Sequence, residues 1–239
     1  MKRLLFAFSL LLALNLLGGC TKPQGEPTIT PPAETEGEAL SDSDEAFYAQ
    51  QIMRYYTAIS NQWDESTYFD HEMSALAAYY YEGNPLDNVG FAFMDLDGDN
   101  VRELLIGAIK NAERDPLVFE IWTLKNGEPV MLAQSGSHNR YYMQYAQKDG
   151  RWSVAYAAEN GAANHAFYHL QLAEGEFKVT QGVIFDAIAN ENNPWFMAYD
   201  LDWNTSNDMP IDEETAMAVI EAERNVYTAI AYLPYSLYK

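Results

Sequence analysis

Phe91-Ala92-Phe93-Met94-Asp95-Leu96-Asp97-Gly98-Asp99-Asn100-Val101-Arg102-Glu103-Leu104-Leu105-Ile106-Gly107-Ala108 is the stretch on which the fold turns. Two short apolar runs, Phe91 to Met94 and Leu104 to Ala108, enclose a turn dense in carboxylates. Each run is too short for a buried helix, and a Gly-containing turn separates them, so they predict two antiparallel strands. Downstream the same texture recurs at Leu117–Leu124, Pro129–Gln134, Arg140–Gln147, Trp152–Ala157, His165–Leu172, Phe177–Phe185 and Trp195–Tyr199. Asn126-Gly127, Asp149-Gly150, Asn160-Gly161 and Glu174-Gly175 mark the turns between several of them, which predicts a meander of sequential strands. Upstream the period changes. Tyr48, Ile52, Tyr55 and Ile59 recur at helical spacing from Asp44 to Ser60, with Asp42 and Ser43 available as N-caps. A second helical pattern runs from Ser66 to Tyr81, where Gly83 and Pro85 signal a stop. A last helix starts at Asp212, a capping carboxylate, and continues to about Val226. The expectation is an α+β domain: an antiparallel β meander sheet with two N-terminal helices and one C-terminal helix.

The turn itself is a candidate metal site. Asp95, Asp97, Asp99 and Glu103 stand at loop positions 1, 3, 5 and 9, and the main-chain carbonyl of Val101 is at position 7. These hard oxygens number enough for calcium, and without a cation the carboxylates repel one another, since Arg102 alone does not neutralise them. The expected role of calcium is structural. An EF-hand is excluded, because position 12 is Ile106 and strands flank the loop. The loop resembles the calcium loops of integrin-type FG-GAP and VCBS repeats, Asp-x-Asp-Gly-Asp-Gly-x-x-Asp/Glu between two strands. Asn100 replaces a Gly of that pattern, and Asn accepts left-handed backbone nearly as well. A propeller does not follow, because only one loop of this quality is present and blades repeat.

Lys2 and Arg3 precede an apolar run from Leu4 to Leu17, which reads as a secretory signal over residues 1–19. Fourteen helical residues reach roughly 21 Å, short of the roughly 30 Å hydrocarbon core. Leu17-Gly18-Gly19-Cys20 resembles the bacterial lipobox, whose cysteine receives a diacylglyceryl group; Cys20 is the only cysteine in the chain. The expected location is the outer face of a bacterial membrane, lipid-anchored through Cys20. Residues 20–43, with Pro23, Pro27, Pro31 and Pro32 among acids, read as a disordered tether, and 44–239 as a single calcium-stabilised α+β domain. The order of lipobox, acidic tether, helices, acidic hairpin, sheet and final helix is similar to that of bacterial lipoproteins carrying this hairpin, a resemblance that brings no activity with it.

A formal net charge of −21 repels phosphate backbones, so nucleic acid is excluded as a partner. With its cysteine lipidated the chain has no thiol nucleophile, and Ser135-Gly136-Ser137-His138 lacks the features of a nucleophile elbow. His165 and His169 share a strand face but stand roughly 13 Å apart, too far for one ion. Asp200, Asp202, Asn204, Ser206 and Asp208 repeat the alternate spacing of a cation loop without its glycines, and read as loop and helix approach. Trp122, Trp152, Trp195 and Trp203, with Tyr141, Tyr142 and Tyr168, lie among asparagines and form a possible ligand face, although such residues also fill β-rich cores. The leading expectation is a monomeric, non-catalytic binding module for envelope glycan or peptide. The alternatives are an envelope hydrolase pairing Glu159 with Asp186 or Asp200, and a transporter's solute receptor.

Overall fold

The computed structural model describes residues 42–146 and 151–238. The expected signal, Cys20, most of the tether and the Asp149-Gly150 turn lie outside the described residues. So do the side chains of Asp42 and Ser43.

The helical and strand patterns separate as the periodicity predicts, giving an α+β fold dominated by one antiparallel sheet. Helix α1 spans Asp42–Ser60 and buries Tyr48, Ile52, Tyr55 and Ile59. Helix α2 covers only Glu65–Asp70, capped by the Asp64 side chain on the Thr67 N–H at 2.8 Å. A 3-10 turn follows at Ala75–Tyr80, so the single helix expected over 66–81 is two pieces. Glu72 between them has a positive φ of 54°. The N–H of Ser74 also turns away from the helical ladder to the buried Glu120 carboxylate, so a tertiary partner outweighs local propensity. Pro85, read as a stop, opens a further short helix α3, Pro85–Asn88.

The nine expected strands all form. They are β1 Val89–Met94, β2 Glu103–Ala108, β3 Leu117–Lys125, β4 Glu128–Gln134, β5 Asn139–Ala146, β6 Arg151–Glu159, β7 Asn164–Ala173, β8 Glu176–Asp186 and β9 Trp195–Ala198. Two short strands, β10 Met209–Pro210 and β11 Leu233–Pro234, extend the sheet to the order β10-β9-β8-β7-β6-β5-β3-β2-β1-β11. The order departs from a pure meander at β3, which pairs with β4 along Glu120–Lys125 and with β5 through Leu117 and Val118. The β3–β4 turn has Asn126 and Gly127 both left-handed, as a tight hairpin of this hand requires.

Three apolar clusters hold the sheet. The N-terminal helices cover one face of β1–β3 through Tyr48, Ile52, Tyr55, Phe91, Leu104 and Phe119. Leu105, Val118, Met143, Val154, Leu170 and Ile184 line a second cluster running from β2 to β8. Helix α4, Glu213–Arg224, packs Ala216 and Ile220 against Val183, Trp195 and Met197; its N-cap is Asp212, as expected. Among the described residues no helix is long and apolar enough to cross a membrane.

Candidate functional site: an acidic hairpin tip and a cationic cleft

Pairing of Met94 with Glu103 closes the β1–β2 hairpin and leaves Asp95 to Arg102 as its tip. Gly98 (φ 84°) and Asn100 (φ 68°) are both left-handed, a conformation that Asn adopts more readily than most residues. Main-chain N–H groups fix the carboxylates. Asp95 accepts from Gly98 at 2.7 Å and from Asn100 at 3.0 Å, Asp97 from Asp99 at 3.3 Å, and Asp99 from Val101 at 2.7 Å. One oxygen from each of Asp95, Asp97 and Asp99 lies within 4.8 Å of the others. Burial raises the pKa of the Asp97 carboxyl, and the neighbouring Asp99 and Asp95 add to the rise. This donor set fits a hard cation.

Glu103, the expected ligand at position 9, stands behind that group. It is 1% exposed; one oxygen accepts from the Leu96 N–H at 2.9 Å and the other from the Thr123 hydroxyl at 2.9 Å. Burial pushes its pKa up to about 7, with Asp97 and Asp99 contributing, against the opposing pull of those two hydrogen bonds. The base of the tip is held from the helix side as well, where the Tyr48 hydroxyl donates to the Arg102 carbonyl at 3.0 Å. The tip therefore rests on a fixed base, with its three aspartates gathered beyond it.

A second constellation is shared by α4 and strands β5, β6, β7 and β9. It is a cleft of about 460 Å³ lined by His138, Arg140, Glu159, His165, Phe167, Trp195 and Arg224. Register explains the gathering: Arg140 pairs with Ala157, Ala157 with Phe167, and Glu159 with His165, which puts these side chains on the α4 face. The Arg224 guanidinium lies 4.8 Å over the Phe167 ring. His165 stacks on Phe185 at 4.6 Å and meets Trp195 edge-on, and this burial lowers its pKa although Glu159 pulls the other way. Two of the seven arginines and two of the four histidines of an acidic chain thus meet in one cleft with a single acid. Arg140 and Arg224 escape a reading by motif; their scarcity is the one hint the sequence offers.

No family model, curated protein or solved structure matches this chain.

The remaining expected residues fall elsewhere. The seven aromatics divide among the three clusters. Trp122 and Tyr142 belong to the first, Tyr141, Trp152, Tyr168 and Trp203 to the second, and Trp195 to the third, so only Trp195 lines the cleft. Trp122 has a structural partner, donating through its indole N–H to Glu120 at 2.9 Å. Asp186 is 8% exposed and its oxygens accept from Ile188, Ala189 and the Thr205 hydroxyl, which makes it a turn anchor. Neither Asp186 nor Asp200 lines the cleft beside Glu159. His169 bonds Thr180 at 2.6 Å, away from His165.

Proposed function

We propose that this chain is a calcium-stabilised binding module of the bacterial cell envelope, anchored through lipidated Cys20 and taking envelope glycan or peptide without turning it over. The observation that carries the reading is the gathering of Asp95, Asp97 and Asp99 within 4.8 Å on the fixed hairpin tip. Such a group repels itself unless an ion fills it, and extracellular calcium modules bind at about 0.1 to 1 mM. The likeness of the lipobox and hairpin to bacterial lipoproteins supports the location.

The cleft supports the ligand class. A lining that joins Phe167 and Trp195 to Arg140 and Arg224 suits a carboxylate on a partly apolar body, a feature shared by acidic glycans and peptide ends. Glu159 is its sole carboxylate, which supports binding over a two-carboxylate hydrolysis. The full-length chain incubated with envelope glycan and peptide fragments should retain the acidic ones saturably, and Arg224→Ala should weaken retention about tenfold. Cys20→Ser should move the protein out of the membrane fraction. New reducing ends or cleaved bonds that vanish in Glu159→Gln would overturn the reading in favour of a hydrolase.

A further inference from the structure

Gly182, in the middle of β8, lies opposite Tyr168 of β7 and Ala198 of β9. A Cβ at this position would sit 2.3 Å from Tyr168 Cδ1 and 3.2 Å from the Ala198 carbonyl oxygen. The Tyr168 ring therefore lies across β8, in the space a side chain would take, and carries its hydroxyl toward the end of β9, where the loop through Asp200 to Asp208 begins. Tyr168 is 2% exposed, and its oxygen has no hydrogen-bond partner. At the far end of the same loop Asp208 Oδ2 is also buried and without a partner. Besides burial, the charges that bear most on the Tyr168 hydroxyl are those of Asp208 and Asp200, followed after Tyr156 by Asp202. A buried hydroxyl and a buried oxygen of Asp208, both without partners and near the further carboxylates of Asp200 and Asp202, are unfavourable unless something donates to or coordinates them.

We propose that the loop from Asp200 to Asp208 is a second divalent-cation site, with calcium the fitting ion. Asp200, Asp202 and Asn204 supply side-chain oxygens at alternate positions, Ser206 its main-chain carbonyl and Asp208 the closing carboxylate. The Tyr168 hydroxyl forms the inner wall and donates to a water of the ion's shell. Three carboxylates and two neutral oxygens, completed by water, meet the coordination number and charge that calcium takes. Among the described residues only Asp95, Asp97 and Asp99 are already drawn together, so ion binding here closes the loop around Asp208. Trp203 lies inside the loop, at its fourth position.

The site is independent of the hairpin tip, and calcium titration of the chelator-stripped full chain separates the two. Asp97→Ala should retain one calcium, and that ion should be lost in Asp97→Ala/Asp208→Asn. Asp208→Asn alone keeps volume and should leave the hairpin's ion in place. Tyr168→Phe, which removes only the hydroxyl, should weaken the second ion about tenfold, as loss of an outer-shell partner does. Terbium bound to Asp97→Ala protein should emit on excitation of Trp203, and Trp203→Phe should quench that emission. If the hairpin binds nothing, wild type and Asp97→Ala each take one calcium and Asp208→Asn none, which leaves the second site standing. If Asp97→Ala protein of native circular dichroism binds neither calcium nor terbium, the proposal is overturned, and water fills the gap between Tyr168 and Asp208.

Discussion

The main-chain N–H of Ser74 donates to the Glu120 carboxylate at 3.0 Å, joining the end of the N-terminal helical segment to the middle of β3, 46 residues later in the chain. Glu120 is 1% exposed and also accepts from the Trp122 indole N–H and, at 3.1 Å, from the Gln134 amide. Among the described residues no ion pair forms with it; aimed donors replace its lost hydration. Burial of the Tyr55 hydroxyl beside this charge raises its pKa well above the ordinary tyrosine value.

Glu120→Ala leaves the Trp122 indole N–H without its acceptor and the Ser74 N–H with only its longer bond to the Tyr55 hydroxyl at 3.2 Å. It should cost about 2–4 kcal/mol in urea unfolding, because unsatisfied buried groups lose their full solvation. Glu120→Gln keeps one acceptor but turns an amide N–H toward other donors, so its loss should be smaller than that of Ala and clearly above zero. An unchanged urea midpoint in both variants would mean that the carboxylate is dispensable.

Calcium should raise the melting temperature of the full chain, since an ion held only by the folded tip stabilises it by about 1.4 kcal/mol at a tenfold excess over Kd. Asp97→Ala should lose most of the hairpin's share of that response, and Asp97→Asn should fall between it and wild type. The flanking strands are buried along β2 and should keep their pairing in both. A scan in which chelation and both substitutions leave the transition where it was would return the tip to a solvated turn.

His165 makes stability depend on pH. Burial lowers its folded pKa below the unfolded value of about 6.5, so its contribution is complete above that value and is lost as pH falls through the folded pKa. The facing charges are Glu159, which opposes the shift, and Arg140, Arg224 and His138 around the same cleft. Urea midpoints at pH 7.5 and pH 5 should differ less for His165→Phe than for wild type. Equal differences in the two proteins would remove His165 from the acid response.

Gly182→Ala places a methyl group 2.3 Å from the Tyr168 ring, and should cost about 1–3 kcal/mol through overpacking. In a Tyr168→Leu background the same change should cost less, a coupling that a double-mutant cycle measures. Additive losses would show that the strand backbone, not the tyrosine, suffers from the added carbon.

Much of the fold is legible in the residues, because period and turn chemistry are local. The Tyr48, Ile52, Tyr55 and Ile59 stripe, the nine apolar runs and the Asp212 cap each predict the element that forms. The break after α2 is not legible, because its cause, the Glu120 carboxylate, belongs to a distant strand. The split pairing of β3 is hidden for the same reason, since loop signals do not say which of two later strands a given residue meets. The acidic tip is visible as spacing, while the turn of Glu103 toward Leu96 and Thr123 depends on burial that spacing does not encode. The cleft is the least legible feature. Its arginines stand 84 positions apart, and only the sheet register and the packing of α4 bring them to one surface.

The two ends of the sheet's long path are strands of two residues, Met209–Pro210 beside β9 and Leu233–Pro234 beside β1. Each carries a proline, which has no N–H to offer an incoming chain, and each is too short to template a ladder. An open sheet of this length would otherwise present two sticky borders to a neighbouring chain. These blunt ends deter edge-to-edge aggregation while leaving the sheet open, a protection that closure into a barrel would otherwise supply.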